Sequence, residues 1–86
     1  MRPFQLILDY ETLEFFEGLS RNDRRYLHAR FIYLREYPHN SANKKEPGDD
    51  GRDYFICVRG KFAIKYWIDE AVREVRVLRV HFVRFE

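Results

Sequence analysis

Hydrophobic and polar residues alternate strictly over Gly60-Lys61-Phe62-Ala63-Ile64-Lys65-Tyr66-Trp67-Ile68-Asp69. A period of two describes a strand, with Phe62, Ile64, Tyr66 and Ile68 on a core face and Lys61, Ala63, Lys65 and Trp67 on the other. The same period runs through Phe4, Leu6, Leu8 and Tyr10, predicting a first strand of about seven residues. Between the two the period changes. Asp9 or Thr12 can cap a short helix over Glu11 to Leu19, with Leu13, Phe16 and Phe15 turned inward. Ser20, with Asp23 three residues on, caps a longer helix in which Leu27, Phe31 and Leu34 recur at helical spacing, widened by Ile32, Tyr33 and Tyr37. Pro38 ends it.

Residues 39–53 hold most of the turn formers and no apolar period, so they read as one long surface loop. Strands over Tyr54 to Arg59, Lys61 to Ile68 and Val75 to Phe85 follow, joined by tight turns at Arg59-Gly60-Lys61 and Asp69-Glu70-Ala71. The last strand is ambiguous in its facing. Leu78, Val80 and Phe82 share one side with Arg76 and Arg84, while Val75, Val77, Arg79, His81 and Val83 share the other, and either side can be the buried one. The element order predicts an α+β fold of two layers: an N-terminal strand, a helical hairpin and a three-strand antiparallel meander completing a four-stranded sheet.

Composition narrows the classes. The 86 residues suit one domain over 1–86, and 45% hydrophobic content with a mean hydropathy of −0.60 suits a packed, water-exposed protein. No apolar run is long enough to cross a membrane, and the start, Met1-Arg2-Pro3-Phe4, shows no secretory pattern, so a cytoplasmic location is expected. Cys57 is the one cysteine and the three histidines are scattered, which excludes an internal disulfide and predicts neither a metal site nor a cofactor. The net charge is only +2, but its distribution is uneven. From Gly51 onward Arg52, Arg59, Lys61, Lys65, Arg73, Arg76, Arg79 and Arg84 face Asp53, Asp69, Glu70, Glu74 and Glu86.

That bias gives the outer sheet face a chemistry. With Leu78, Val80 and Phe82 packed under the helices, Arg79 and His81 emerge beside Lys61, Lys65 and Trp67. RNA cleavage by its own 2′-hydroxyl needs a base, cations for the charge growing on phosphate, and an acid for the leaving oxygen. His81 is the candidate acid or base, Lys61, Lys65 and Arg79 the candidate charge donors, and Trp67 or Phe82 a stacking surface. Lys44, Lys45, Arg52 and Arg59 are further candidates for RNA contact. A solvated sheet face with a hydrogen-bonded histidine is the plainer alternative.

Several of these words also resemble a known family. Leu34-Arg35-Glu36-Tyr37-Pro38 closing a helical hairpin, then Gly60, Phe62, Ile64, Tyr66, Ile68 and Asp69, then Leu78-Arg79-Val80-His81, together resemble the RelE/ParE superfamily of bacterial type II toxin–antitoxin toxins. The resemblance implies a toxin neutralised by a cognate antitoxin and acting as a ribosome-dependent mRNA endoribonuclease. Ala63 stands where the family usually has arginine, and Phe55-Ile56-Cys57-Val58 fills a strand that often carries another. Those departures imply the alternative of a non-catalytic binding module, or of a toxin directed at DNA gyrase.

Overall fold

The computed structural model describes residues 3–83. The chain forms β1 (Gln5–Leu8), α1 (Tyr10–Glu17), α2 (Arg21–Glu36), β2 (Lys44–Pro47), β3 (Asp53–Arg59), β4 (Phe62–Asp69) and β5 (Glu74–Phe82). The strands make one sheet in the order β1-β5-β4-β3-β2, with β1 parallel to β5 and the other pairs antiparallel. The helical hairpin therefore carries the chain from one sheet edge to the other, and the meander returns it strand by strand to β1.

The helices begin as their side chains dictate. Asp9 accepts a hydrogen bond from the Thr12 backbone N–H at 2.7 Å, and Ser20 accepts one from Asp23 at 3.2 Å, satisfying amide groups that the helix itself leaves unpaired. Helix α1 is shorter than expected, and Leu13 is exposed while Phe15 and Phe16 are partly covered. In α2 Leu27, Phe31 and Leu34 are buried as their spacing predicts, whereas Ile32, Tyr33 and Tyr37 stay exposed. They lie on flanks that the sheet does not reach. Beyond the C-cap Tyr37, Ser41 donates a hydrogen bond to the Tyr37 carbonyl and Tyr66 donates one to the Pro38 carbonyl, both at 2.6 Å, tying the helix exit to the sheet.

The sheet has five strands, one more than the four expected. The extra strand, Lys-Lys-Glu-Pro, has no apolar alternation because it lies at an edge and is held by backbone bonds to β3. Lysines and a proline are what an edge tolerates. The first strand is four residues rather than seven, since Asp9 caps the helix and Tyr10 is already in it. Gly60 supplies the positive φ of 58° that the β3–β4 turn requires.

Strand β5 resolves its ambiguous facing by changing side. Lys65 pairs with Arg79 and Tyr66 with Val77, so Leu78 is an extra residue at a β-bulge. Before the bulge Val75 and Val77 face the core, after it Val80 does, and neither alternation set runs unbroken. The core packs Leu27, Phe31 and Leu34 onto Phe62, Ile64, Tyr66, Val75, Val77 and Val80, with Cys57 buried beside them. The expected strand end at Arg84 and Phe85 lies outside the described residues.

Candidate nucleic-acid interface

Register places the cations on the outer face. Lys65 and Arg79 lie directly opposite each other, and Ala63 and His81 form the next pair on the same side. Directly opposed side chains have Cβ atoms roughly 5 Å apart and diagonal neighbours roughly 7–8 Å, so His81 stands within one side-chain length of the Lys65–Arg79 pair. Like charges directly opposite destabilise a sheet, so this pair is a cost to folding that an anionic ligand would relieve. Arg79 and His81 are exposed, and among the described residues neither has an ion-pair or hydrogen-bond partner. Lys65 is half-buried, its ammonium 5.2 Å from the centre of the Tyr54 ring.

Across the sheet, Lys44 is opposite Ile56 and Ile56 is opposite Lys65. Lys44, Ile56, Lys65 and Arg79 therefore form one row over four strands, about 15 Å at the usual interstrand spacing. In the adjacent row Val58, Ala63 and His81 stand side by side. The interface is a cationic row beside an apolar strip, with the imidazole at one end. A depression of about 600 Å³ opens over it, lined by Glu46, Lys65, Leu78 and Arg79 on the sheet and by Asp49 and Asp50 from the β2–β3 connection.

That connection is itself ordered. Tyr54 donates to Asp50 at 2.6 Å, the Arg52 amide donates to the same carboxylate at 3.1 Å, and the Arg52 guanidinium lies 3.6 Å from it. These groups, the Tyr54 hydrogen bond foremost, hold the Asp50 carboxyl below its ordinary pKa, and the same bond raises that of the Tyr54 phenol. Arg52 also stacks 4.2 Å from the Trp67 ring, with Arg76 5.9 Å from that ring. Trp67 is half-buried between the two guanidinium groups.

Not every candidate joins this surface. Lys61 lies in the β3–β4 turn rather than in the strand, and its ammonium is 2.8 Å from Asp23 at the start of α2. The alternation that would have set it beside Lys65 ends one residue earlier. Lys45 shares the side of Phe55, facing the helix layer, and pairs with Asp53 at 3.2 Å. Arg59, at the end of β3, donates to the neighbouring Val58 carbonyl at 3.1 Å. Lys44 belongs to the row but is 3.2 Å from Glu46. Tyr54 and Arg76 were not singled out by the sequence. Placing Arg76 next to Trp67 requires the bulge at Leu78, and Tyr54 meets Lys65 only through pairing across the sheet. Of the other histidines, His28 is on α2 and His39 bonds to Glu70, away from the row.

Among the described residues no group of three or more histidine, cysteine, aspartate or glutamate side chains is placed to hold a metal ion. No helix there is long and apolar enough to cross a membrane. No family model and no curated protein matches the sequence. Solved structures do match its fold. The RelBE2 toxin–antitoxin complex of Mycobacterium tuberculosis includes a chain that superposes with a TM-score of 0.81 at 18% identity, covering 95% of this chain and all of that one. The isolated RelE toxin of E. coli gives 0.78 at 19% identity over 96% of this chain and 87% of its own. The archaeal RelE–RelB complex of Pyrococcus horikoshii gives 0.69 at 16% identity over 92% and 93%. The fold is that of RelE toxins, as the words around Gly60 to Asp69 and Leu34 to Pro38 implied.

Proposed function

We infer that a chain built on the RelE fold and carrying this sheet face works as the toxin of a type II toxin–antitoxin pair, binding RNA across Lys65 and Arg79. The observation that carries the reading is the opposed Lys65–Arg79 pair with exposed His81 beside it. Two like charges facing each other are a poor choice for stability and a good one for a phosphodiester, whose two non-bridging oxygens can meet both. In cleavage the 2′-oxygen loses its proton to a base and bonds to phosphorus, the P–O5′ bond breaks, and the 5′-oxygen takes up a proton. In this reading His81 accepts the first proton. Lys65 and Arg79 hold the charge that grows on the phosphate, and the leaving oxygen draws its proton from the Lys65 ammonium or from water. We assign the mRNA target on the ribosome, the bacterial cytoplasm as its location and an acidic antitoxin as its partner on the same reading. All 86 residues act in it as one domain.

One feature favours a second reading. The strip of Ile56, Val58 and Ala63 beside the cations is apolar, and Ala63 is buried among its neighbours. Such a floor suits a protein contact, as in a gyrase-directed toxin or a binding module without cleavage. Controlled expression in bacteria separates the readings. For an mRNA endoribonuclease, wild type stops protein synthesis and fragments mRNA, and Lys65→Ala, Arg79→Ala and His81→Ala each relieve the arrest. Arrest that survives all three changes removes the site assignment. DNA damage with translation intact supports the gyrase reading, and unimpeded growth removes the toxin reading.

A further inference from the structure

Helix α2 carries a second cationic surface, on the layer opposite the Lys65–Arg79 row. Arg21, Arg25, His28, Ile32 and Arg35 follow one another at three- and four-residue steps, and Arg24 stands three residues from Arg21 and four from His28, so the six share one flank of the helix. All six are exposed. Tyr26, Tyr33 and Tyr37 occupy the other flank, towards the Gly60 turn that Tyr26 abuts, and the core edge of Leu27, Phe31 and Leu34 lies between. Glu36, four residues beyond Ile32, is the one acidic residue of the helix on the cationic flank, at its C-terminal end.

Its arginines differ from several of the other surface cations. Lys44, Lys45, Arg52, Lys61 and Arg76 each lie 2.8–3.6 Å from a carboxylate. Among the described residues Arg21, Arg24, Arg25 and Arg35 have no such partner, although Glu11, Glu14 and Glu17 stand on the adjoining helix. Four unpaired arginines on one helix repel one another. Nothing in the packing requires them, because the helix buries only the neighbouring edge of Leu27, Phe31 and Leu34.

We propose that this flank is a second RNA-binding surface, which takes a run of backbone phosphates along α2. From Arg21 to Arg35 the stripe is about 21 Å long, with Arg21, Arg24 and Arg25 within about 6 Å of one another along the axis and Arg35 at the far end, so the cluster and the distant arginine can meet separate phosphates of one chain. The cations are arginines without a lysine, and the guanidinium fork binds phosphate oxygens in pairs. Ile32 is the one apolar side chain in the stripe, too little for the charge-poor centre of a protein interface. Charge complementarity therefore favours a nucleic acid over an acidic protein. That the polymer is RNA rests on the proposed function, whereas the phosphate surface stands without it. Because the two cationic surfaces lie on opposite layers, the RNA bound here is a separate segment from the one at Lys65 and Arg79, as a large folded RNA provides.

The test measures the anisotropy of a labelled 2′-O-methyl RNA of roughly 20 nucleotides, which its own 2′-oxygen cannot cleave, and of a matching RNA duplex and DNA strand, between about 50 and 200 mM salt. The full chain is compared with Arg21→Gln/Arg24→Gln/Arg25→Gln/Arg35→Gln, with the same four positions changed to Lys, and with Lys65→Ala/Arg79→Ala. The glutamine variant is expected to bind RNA about tenfold or more weakly, with a salt slope shallower by roughly 2 to 3, while the lysine variant keeps most of the affinity. An unchanged affinity and slope overturn the proposal. So does a loss confined to binding of polyglutamate, which marks an acidic-protein site. Equal weakening on RNA and DNA keeps the phosphate surface and removes RNA as its particular ligand. Should the glutamine variant not fold, Arg21→Gln/Arg25→Gln alone must lower the slope by about 1, or the proposal fails. The Lys65 and Arg79 changes report on the sheet site independently, so either surface can fail without the other.

Discussion

Replacing Tyr66 with phenylalanine removes one oxygen from the centre of the molecule and tests how the helix exit is tied to the sheet. The Tyr66 side chain is fully buried, and its hydroxyl donates to the Pro38 carbonyl at 2.6 Å. Phenylalanine keeps the ring and its stack on Phe55, whose centre is 5.4 Å away, so apolar packing is largely preserved. What is lost is the hydrogen bond, with the buried Pro38 carbonyl left unpaired. That costs about 1–2 kcal/mol, or a fall in Tm of roughly 6–12 °C for a domain of this size. The cost must depend on pH. Burial, with a smaller contribution from nearby Cys57, raises the Tyr66 pKa well above its ordinary value of 10.0. A group whose folded pKa is raised contributes stability that is complete below the unfolded pKa and lost as pH rises past it. The unfolded phenol ionises near pH 10 and the folded one does not, so wild type loses about 1.4 kcal/mol by pH 11 through this group. Tyr66→Phe has no such loss. Urea unfolding of both proteins at pH 7, 10 and 11 should therefore show a stability gap that narrows towards zero, other ionisations being common to both. A gap that stays constant across this range, or none at pH 7, refutes the reasoning.

Other outcomes follow from the same structure. Leu27→Ala, at a fully buried position facing the sheet, should destabilise by about 2–5 kcal/mol in denaturant melts. Deleting Leu78 removes the bulge residue but leaves Val75, Val77 and Val80 facing the core, so the protein should still fold, with a loss well below that of Leu27→Ala. A collapse of cooperative unfolding on that deletion would contradict the register. Because the Asp50 pKa is lowered in the fold, its contribution is present above the ordinary value of 3.8 and is lost as pH falls through the lower folded value. Amide signals of Gly48 and Gly51 should shift in that acid range in wild type and show no such step in Asp50→Asn.

The parts of the fold that could be read along the chain are those with a local cause. Ser20 with Asp23, and Leu27, Phe31 and Leu34 at helical spacing, define α2 because capping and amphipathic period act within one or two turns. The inner face of β4 was legible for the same reason, since Phe62, Ile64 and Tyr66 alternate without a break and are buried as that predicts. The edge strand Lys44–Pro47 was not, because it is made by backbone bonds to β3 and leaves no hydrophobic trace.

The interface depended on relations between strands. Residue types and alternation supplied Lys65, Arg79, His81 and Trp67 as candidates, and also set Lys61 among them. The β3–β4 turn took Lys61 to Asp23, and the bulge at Leu78 put Arg79 opposite Lys65 while returning Val80 to the core. A period can be read from neighbours in the chain, so helix caps, core faces and the RelE-like order of elements were already present in the primary structure. Register, a bulge and an ion pair join residues far apart in it, and these fixed which cations share a surface once the chain had folded.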